Sequence, residues 1–256
     1  MTKRWSISLA AVVLFLFASS AAYSGNFLNP ATIPEKLDYG LGLEYDLTTR
    51  GLVVQGNGDA QFLSNRILLD VAFNPIYFFG LKLKGGAANM SFSEAKLDKI
   101  SKLTKMNIVP KAENQLDKFD TPFNFAGGGS LDFAILKDPD KYVGLGFSLT
   151  GLYQYARKDN VNLSAYLFEY GAALTLSVIS LDTIIPYLGF DYSGETGRIN
   201  STDARAKYTL NLADNLDSPV GIFAGMNVVI GDHWRLEFQG RFLNELSGGL
   251  SFLYNF

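Results

Sequence analysis

The chain of 256 residues has a net charge of −3, and 14% of it is aromatic, with 25 glycines, 20 phenylalanines and 13 tyrosines but no cysteine. Without cysteine there is no disulfide framework, no lipidated N-terminal cysteine and no thiolate site, and the mildly acidic balance argues against a nucleic-acid partner. A single histidine excludes a histidine-rich metal centre.

The first element is a leader. Lys3 and Arg4 precede the uncharged apolar run SISLAAVVLFLFA, and the small residues of SSAAYSG follow it. That order predicts a secretory signal peptide over residues 1–22, cut after Ala22. Its loss takes Lys3 and Arg4 with it and moves the net charge from −3 to −5. The alternative, a membrane anchor, is disfavoured because the apolar run is short for a spanning helix. Residues 23–36 then form a short N-terminal segment, and residues 37–256 read as one all-β domain.

Period-two alternation recurs along that domain. DYGLGLEY sets Tyr39, Leu41, Leu43 and Tyr45 against Asp38, Gly40, Gly42 and Glu44. QFLSNRILLDVAF sets Leu63, Ile67, Leu69, Val71 and Phe73 against Ser64, Arg66, Asp70 and Ala72. PIYFFGLKLK opposes Tyr77, Phe79, Leu81 and Leu83 to Lys82 and Lys84, and FNFAGGGSLDFAI opposes Phe125, Leu131, Phe133 and Ile135 to Ser130 and Asp132. YVGLGFSLTGLYQY, LSAYLFEYGAALTLSV, IIPYLGFDYSGE and VGIFAGMNVVI repeat the pattern. In WRLEFQGRF, Trp234, Leu236, Phe238 and Phe242 alternate with Arg235, Glu237, Gln239 and Arg241. With the terminal GGLSFLYNF these make ten candidate strands; eight is the alternative if two of them are loops.

The connectors differ in kind. FNP, KDPDK, SLDT and GDH are short turns, whereas the intervening links near 51–59, 93–121, 157–160, 200–219 and 244–247 include long ones. RAKYTLNLA within 200–219 is either the end of a long strand or loop. An exported chain with apolar alternating strands and no second spanning-helix pattern predicts a transmembrane antiparallel up-and-down β-barrel of about ten strands. Its short turns, both termini and segment 23–36 face the periplasm, and its longer loops face outward. A soluble β-sandwich with a buried last strand is the competing fold. The long exterior loop over 93–121 carries Ser91 and Glu94 at capping-box spacing and Leu97, Ile100, Leu103 and Met106 at helical spacing, which predicts a short amphipathic helix or a solvated loop.

The last strand presents Leu250, Phe252, Tyr254 and Phe256 at alternate positions, with an aromatic as the final residue. On these residues, the leader and the strand pattern, the chain resembles bacterial outer-membrane β-barrel proteins, with no particular subfamily indicated. The resemblance implies that the four residues act as an insertion signal read by the barrel-assembly machinery. It also implies a location in the cell outer membrane, contact with its lipid and lipopolysaccharide, and a small monomeric barrel.

With the aromatic faces toward lipid, the opposite faces line the interior. There the pattern gathers Asp38, Glu44, Arg66, Asp70, Lys82, Lys84, Asp132, Glu169, Asp191, Arg235, Glu237 and Arg241. Buried charges of both signs must pair, so a lumen charge network is expected, with Arg235 and Arg241 partnered by Glu44, Asp132, Glu169 or Asp191. A filled, cross-linked lumen fits a structural or surface-interaction role; a narrow diffusion pore for small hydrophilic solutes is the alternative, and an outer-membrane hydrolase a third. His233 lies in the turn GDHW on the periplasmic side, away from outer-leaflet substrates, so no catalytic residue, metal or cofactor is assigned. GNG at 56–58 and GGG at 127–129 lack the strand-to-helix context of a phosphate loop, and 127–129 reads as a place where a strand bends or a neighbour comes close.

Overall fold

The computed structural model describes residues 38–54, 58–96, 120–138, 143–158, 163–178, 183–201, 208–214, 219–243 and 246–256. The expected leader, the segment 23–36 and residues 97–119 of the long loop lie outside the described residues.

Twelve strands form one antiparallel sheet: β1 (Asp38–Val54), β2 (Gly58–Ile76), β3 (Phe79–Ala88), β4 (Ser91–Lys96), β5 (Asn124–Asp138), β6 (Val143–Lys158), β7 (Leu163–Val178), β8 (Ile184–Ser201), β9 (Tyr208–Asp214), β10 (Val220–Ile230), β11 (Trp234–Phe242) and β12 (Leu246–Asn255). The sheet closes on itself where β12 pairs with β1, from Gly40 opposite Asn255 to Thr49 opposite Leu246. Ten strands make the closed wall, one for each alternating segment of the sequence, and β4 and β9 are extra. Closure leaves no open edge around the ring, which is what a sheet in lipid requires.

The extra strands explain two departures from the expected loops. β4 continues the course of β3 along β2 after a break at Asn89 and Met90, with Ser91 opposite Leu63 and Phe92 opposite Phe62. Ser91 and Glu94 therefore lie in a strand, and the capping box expected there does not form. The alternation of Phe92 with Ser91 and Ser93, continuing the pleat of β2, prevails over the helical spacing. Within RAKYTLNLA the part YTLNLA forms strand β9, which shares β8 with β10: β9 takes Thr196–Ser201 and β10 takes Ile184–Tyr192. Beyond the tip of the short β11–β12 hairpin, β9 also pairs with β1 at Leu52–Val54. Three strands of wall thus give way to one toward the outer end.

Two connectors also differ. β1 and β2 run in register as far as Val54 opposite Gly58, so the long link expected at 51–59 shrinks to three residues, 55–57. The turn expected at FNP falls instead at Tyr77 and Phe78, because β2 carries a register shift between Phe73 and Ile76 and absorbs Pro75.

The outward face is apolar over a continuous band, including Leu41, Leu69, Leu83, Leu131, Leu174 and Phe190, with Leu69 60% exposed. A band of this kind around a closed barrel is a lipid-facing surface. An even strand number, short turns on the side of the termini and longer links opposite are the architecture of an outer-membrane barrel. Near the terminal end an aromatic girdle gathers: Trp234 stacks on Phe252 at 4.7 Å and meets Tyr254 at 4.5 Å, Tyr39 stacks on Phe73 at 5.0 Å, and Phe79 packs on Phe133 at 5.1 Å. His233, in the β10–β11 turn, lies against Tyr254 at 5.5 Å, and its Nδ1 sits 3.0 Å from the Asn255 carbonyl. The amide of Phe256 donates to Tyr39 O at 2.9 Å, so the final residue is tied to the first strand.

That tie gives a test of the terminal strand. Phe256→Ser is expected to reduce the heat-modifiable, assembled barrel severalfold while leaving export unchanged, read by comparing folded and unfolded bands in membranes. Equal folded bands in variant and parent would remove the assembly role. Gly128 gives a second test, because β5 is wedged between β3 and β6 there. A Cβ at Gly128 would overlap Gly151 O and sit 2.8 Å from Leu152 Cα. Gly128→Val is expected to destabilise by about 2 kcal/mol or more in chemical unfolding, since overpacking against backbone cannot relax.

Candidate functional site: the barrel interior

Among the described side chains, alternation aims the even-numbered residues of β1–β6, except Ile76 and Leu136 beyond the bulges of β2 and β5, and the odd-numbered residues of β7, β8 and β10–β12 into the barrel. These inward residues form zones of different chemistry.

Toward the outer end, the interior is apolar. Leu52, Phe62, Met90, Phe92, Ala156, Leu163, Ala165, Leu167, Ile199 and Leu212 form one cluster in which no member is more than 2% exposed. Phe62 and Phe92 face each other at 5.5 Å across β2 and β4. Burial to this degree is the packing of a core, and it closes the outer end of the barrel with side chains. A polar interior was expected along the whole length; in this stretch the alternation is reversed, with apolar residues inside and Gln61, Thr196 and Arg198 outside.

Below this plug the interior is charged. Arg66 is its hub: buried to 2%, it pairs Nη1 with Asp46 Oδ2 at 3.2 Å and Nη2 with Glu169. Gln154 Nε2 donates to the same Glu169 oxygen at 2.5 Å and in turn accepts from Ser64 Oγ at 2.9 Å. Lys84 Nζ pairs with Glu44 at 2.6 Å. Arg50 pairs with Glu195 at 3.0 Å and donates to Ser193 Oγ at 2.6 Å, bridging β1 to β8 behind β9. Arg241 reaches Asp191 at 3.4 Å and lies 5.8 Å from the Phe223 ring centre. Toward the terminal end, the Tyr187 hydroxyl donates to Glu237 Oε1 at 2.7 Å, with Gln239 Oε1 3.1 Å away.

Of the twelve charged residues gathered from the sequence, Glu44, Arg66, Asp70, Lys82, Lys84, Asp132, Glu169, Asp191, Arg235, Glu237 and Arg241 lie on inward positions, and the side chain of Asp38 is outside the described part. The structure brings Arg66 to Glu169 and Arg241 to Asp191, while Glu44 is taken by Lys84. Asp70 is fully buried opposite Lys84 in the β2–β3 register, and Asp132 accepts from Ser130 Oγ at 3.3 Å. Lys82 and Arg235 are half-buried on the same inward faces. Sequence reasoning missed Asp46, Arg50, Tyr187 and Glu195. For Asp46 and Arg50 the signal existed: Glu44, Asp46, Thr48 and Arg50 continue the polar alternation past the point where the strand was expected to stop. Among the described residues, no group of three or more His, Asp or Glu side chains is placed to hold a metal ion.

The assembly residues take outward positions, with Leu250 at 39%, Phe252 at 41% and Phe256 at 74% exposure, and Tyr254 packed between Trp234 and Phe256.

No protein-family model matches the chain, and no curated protein matches it in sequence. Several solved structures are similar in fold. The COG4313 outer membrane channel from Pseudomonas putida F1 is 10% identical, with 90% of this chain and 100% of that chain covered and a TM-score of 0.46. AlkL, an outer membrane protein solved in DMPC lipid bilayers, is 11% identical, with coverages of 93% and 96% and a TM-score of 0.43. The outer membrane protein OprG from Pseudomonas aeruginosa is 10% identical, with coverages of 87% and 97% and a TM-score of 0.39.

Proposed function

We propose that the chain is an integral outer-membrane protein whose barrel is sealed by its own side chains, and that it serves the cell envelope structurally or through surface interactions of its outer part. The observation that carries this reading is the apolar plug of Leu52, Phe62, Phe92, Leu163 and Ile199 at the outer end, packed above cross-strand ion pairs. A conducting lumen needs a continuous polar path, and a dry cluster of this kind interrupts one. The paired charges below then brace the wall: apart from Arg66 with Asp46 on adjacent strands, they link strands that are not neighbours in the sheet, as Arg50 on β1 and Glu195 on β8 do.

Six of the strands are 15 to 19 residues long, whereas about 9–11 suffice to cross a bilayer. The surplus lies at the end opposite the termini, so the plugged part stands beyond the membrane, where surface contacts are made. The experiment is reconstitution of the purified barrel in a planar bilayer. No discrete conductance steps are expected; regular steps would replace this reading with a narrow diffusion pore.

A further inference from the structure

The buried interior below the plug holds more acid than base. Among the described residues, seven carboxylates are buried there against four cationic side chains. Toward the terminal mouth, the half-buried Lys82 and Arg235 against Glu237 return one charge. Most of the buried cations have their acids close by: Arg50 pairs with Glu195, Arg241 with Asp191, and the two arms of Arg66 with Asp46 and Glu169. Lys84 stands between two acids. Its Nζ lies 2.6 Å from Glu44 Oε2, while Asp70 is directly opposite it in the β2–β3 register. Asp70 is fully buried, and neither of its oxygens accepts a hydrogen bond from a described residue. Glu44 Oε1 is buried without a donor as well. The two acids are close neighbours. Glu44 stands opposite Leu68 and Asp70 opposite Gly42, so they lie on a diagonal of adjacent inward rows, about 7–8 Å between backbones and within reach of both carboxyls. Gly42 leaves the space beside Asp70 without a side chain. Leu253 closes it, because a Cβ at Gly42 would stand 3.1 Å from Leu253 Cδ1 and 3.4 Å from Asp70 Cβ.

We propose that Asp70 and Glu44 bind a dehydrated alkali cation beside Lys84. The chemistry follows from the donors and from the charge. The orphaned acceptors are all carboxylate oxygens, which select a hard cation. Two carboxylates and one ammonium leave a single negative charge, which a monovalent ion neutralises and a divalent ion would overshoot. An uncompensated carboxylate in a buried interior is costly, so occupancy of this site stabilises the barrel. Leu253 and the surrounding wall leave no room for a hydration shell, and the oxygens of Asp70 and Glu44 take its place around the ion. The site rests on the placement of these interior charges and not on the role assigned to the outer part, so the conductance experiment and the one below fail separately.

The test compares chemical unfolding of the full-length protein, purified from membranes in non-ionic detergent, in sodium chloride and in choline chloride at equal ionic strength and pH. Choline screens charge to the same extent but is too large to enter the site. In sodium at about ten times its dissociation constant, the folding equilibrium is expected to shift about tenfold toward the folded barrel. Asp70→Asn is expected to abolish the difference between the two salts. Asp132→Asn, at a buried carboxylate outside the site, should keep it. The comparison of salts in the parent protein needs no variant, so a substitution that blocks assembly leaves the test in place. Equal unfolding midpoints of the parent in the two salts would overturn the proposal, as would a sodium effect that survives Asp70→Asn. A parent barrel indifferent to sodium but stabilised as the pH falls would overturn it too, placing a proton between the two acids in the cation's stead.

Discussion

Replacing Arg66 by Ala is expected to destabilise the barrel by about 3–5 kcal/mol, the penalty for removing one partner from a buried charge cluster. The size follows from what Arg66 holds. Its guanidinium bridges Asp46 on the adjacent β1 and Glu169 on β7, four strands away around the wall, and its side chain is 2% exposed. Without it, two carboxylates remain in the interior, and Gln154, which also bonds Glu169, cannot neutralise them. Chemical unfolding of the reconstituted barrel reads the loss, and the heated-gel transition should move to lower temperature. Arg66→Lys should retain part of the stability, because one ammonium can replace the charge but not both arms of the guanidinium. If the alanine variant unfolds with the parent, the interior ion pairs contribute little and the bracing role assigned to them fails.

Replacing Phe62 by Ala is expected to cost about 3–5 kcal/mol as well, through the cavity left in the outer plug. Phe62 is fully buried, packs on Phe92 and has backbone on either side that cannot collapse into the space. The same variant carries a second readout. If the plug is the barrier, thinning it should raise the ionic leak of the reconstituted barrel, most of all when Phe92→Ala is added. A variant that loses stability yet remains as non-conducting as the parent would show that the charged zone below also seals the lumen.

How much of this was legible in the sequence depends on depth in the membrane. Where the outer face meets lipid, the pattern is strict: a lipid-facing position is apolar, so Ile67, Leu69 and Val71 fix both the strand and its inward face. The ten strands of the closed wall were visible on that basis. Beyond the bilayer the constraint lapses. β1 runs on through Thr48, Thr49, Arg50 and Gly51, a composition that reads as a turn, because Thr49 and Gly51 no longer need to be apolar. The code then reverses, with Leu52 and Phe62 turned inward, so the plug could not be found by seeking apolar faces and assigning them to lipid. The ion pairs were hidden for another reason. Arg66 and Glu169 are separated by 103 positions, and only the curvature of the closed wall brings them together. An inward arginine is readable from pleat parity; which acid it meets depends on strand tilt and stagger, which a single sequence does not display.

The pairing of β1 with β12 has a consequence for biosynthesis. β1, the first of the described strands, keeps one edge unsatisfied until β12 has been made, because β12 is its partner along Gly40–Thr49. Every product of premature termination before β12 therefore carries a long open edge, with its apolar outward face attached to no finished ring, and such edges are templates for aggregation. The hydrogen bond from the Phe256 amide to Tyr39 is among the last contacts the strands can make. Completeness of the ring is thus inspected by geometry itself: only a molecule that has reached β12 can hide its first edge, and shorter ones stay recognisable to chaperones and proteases.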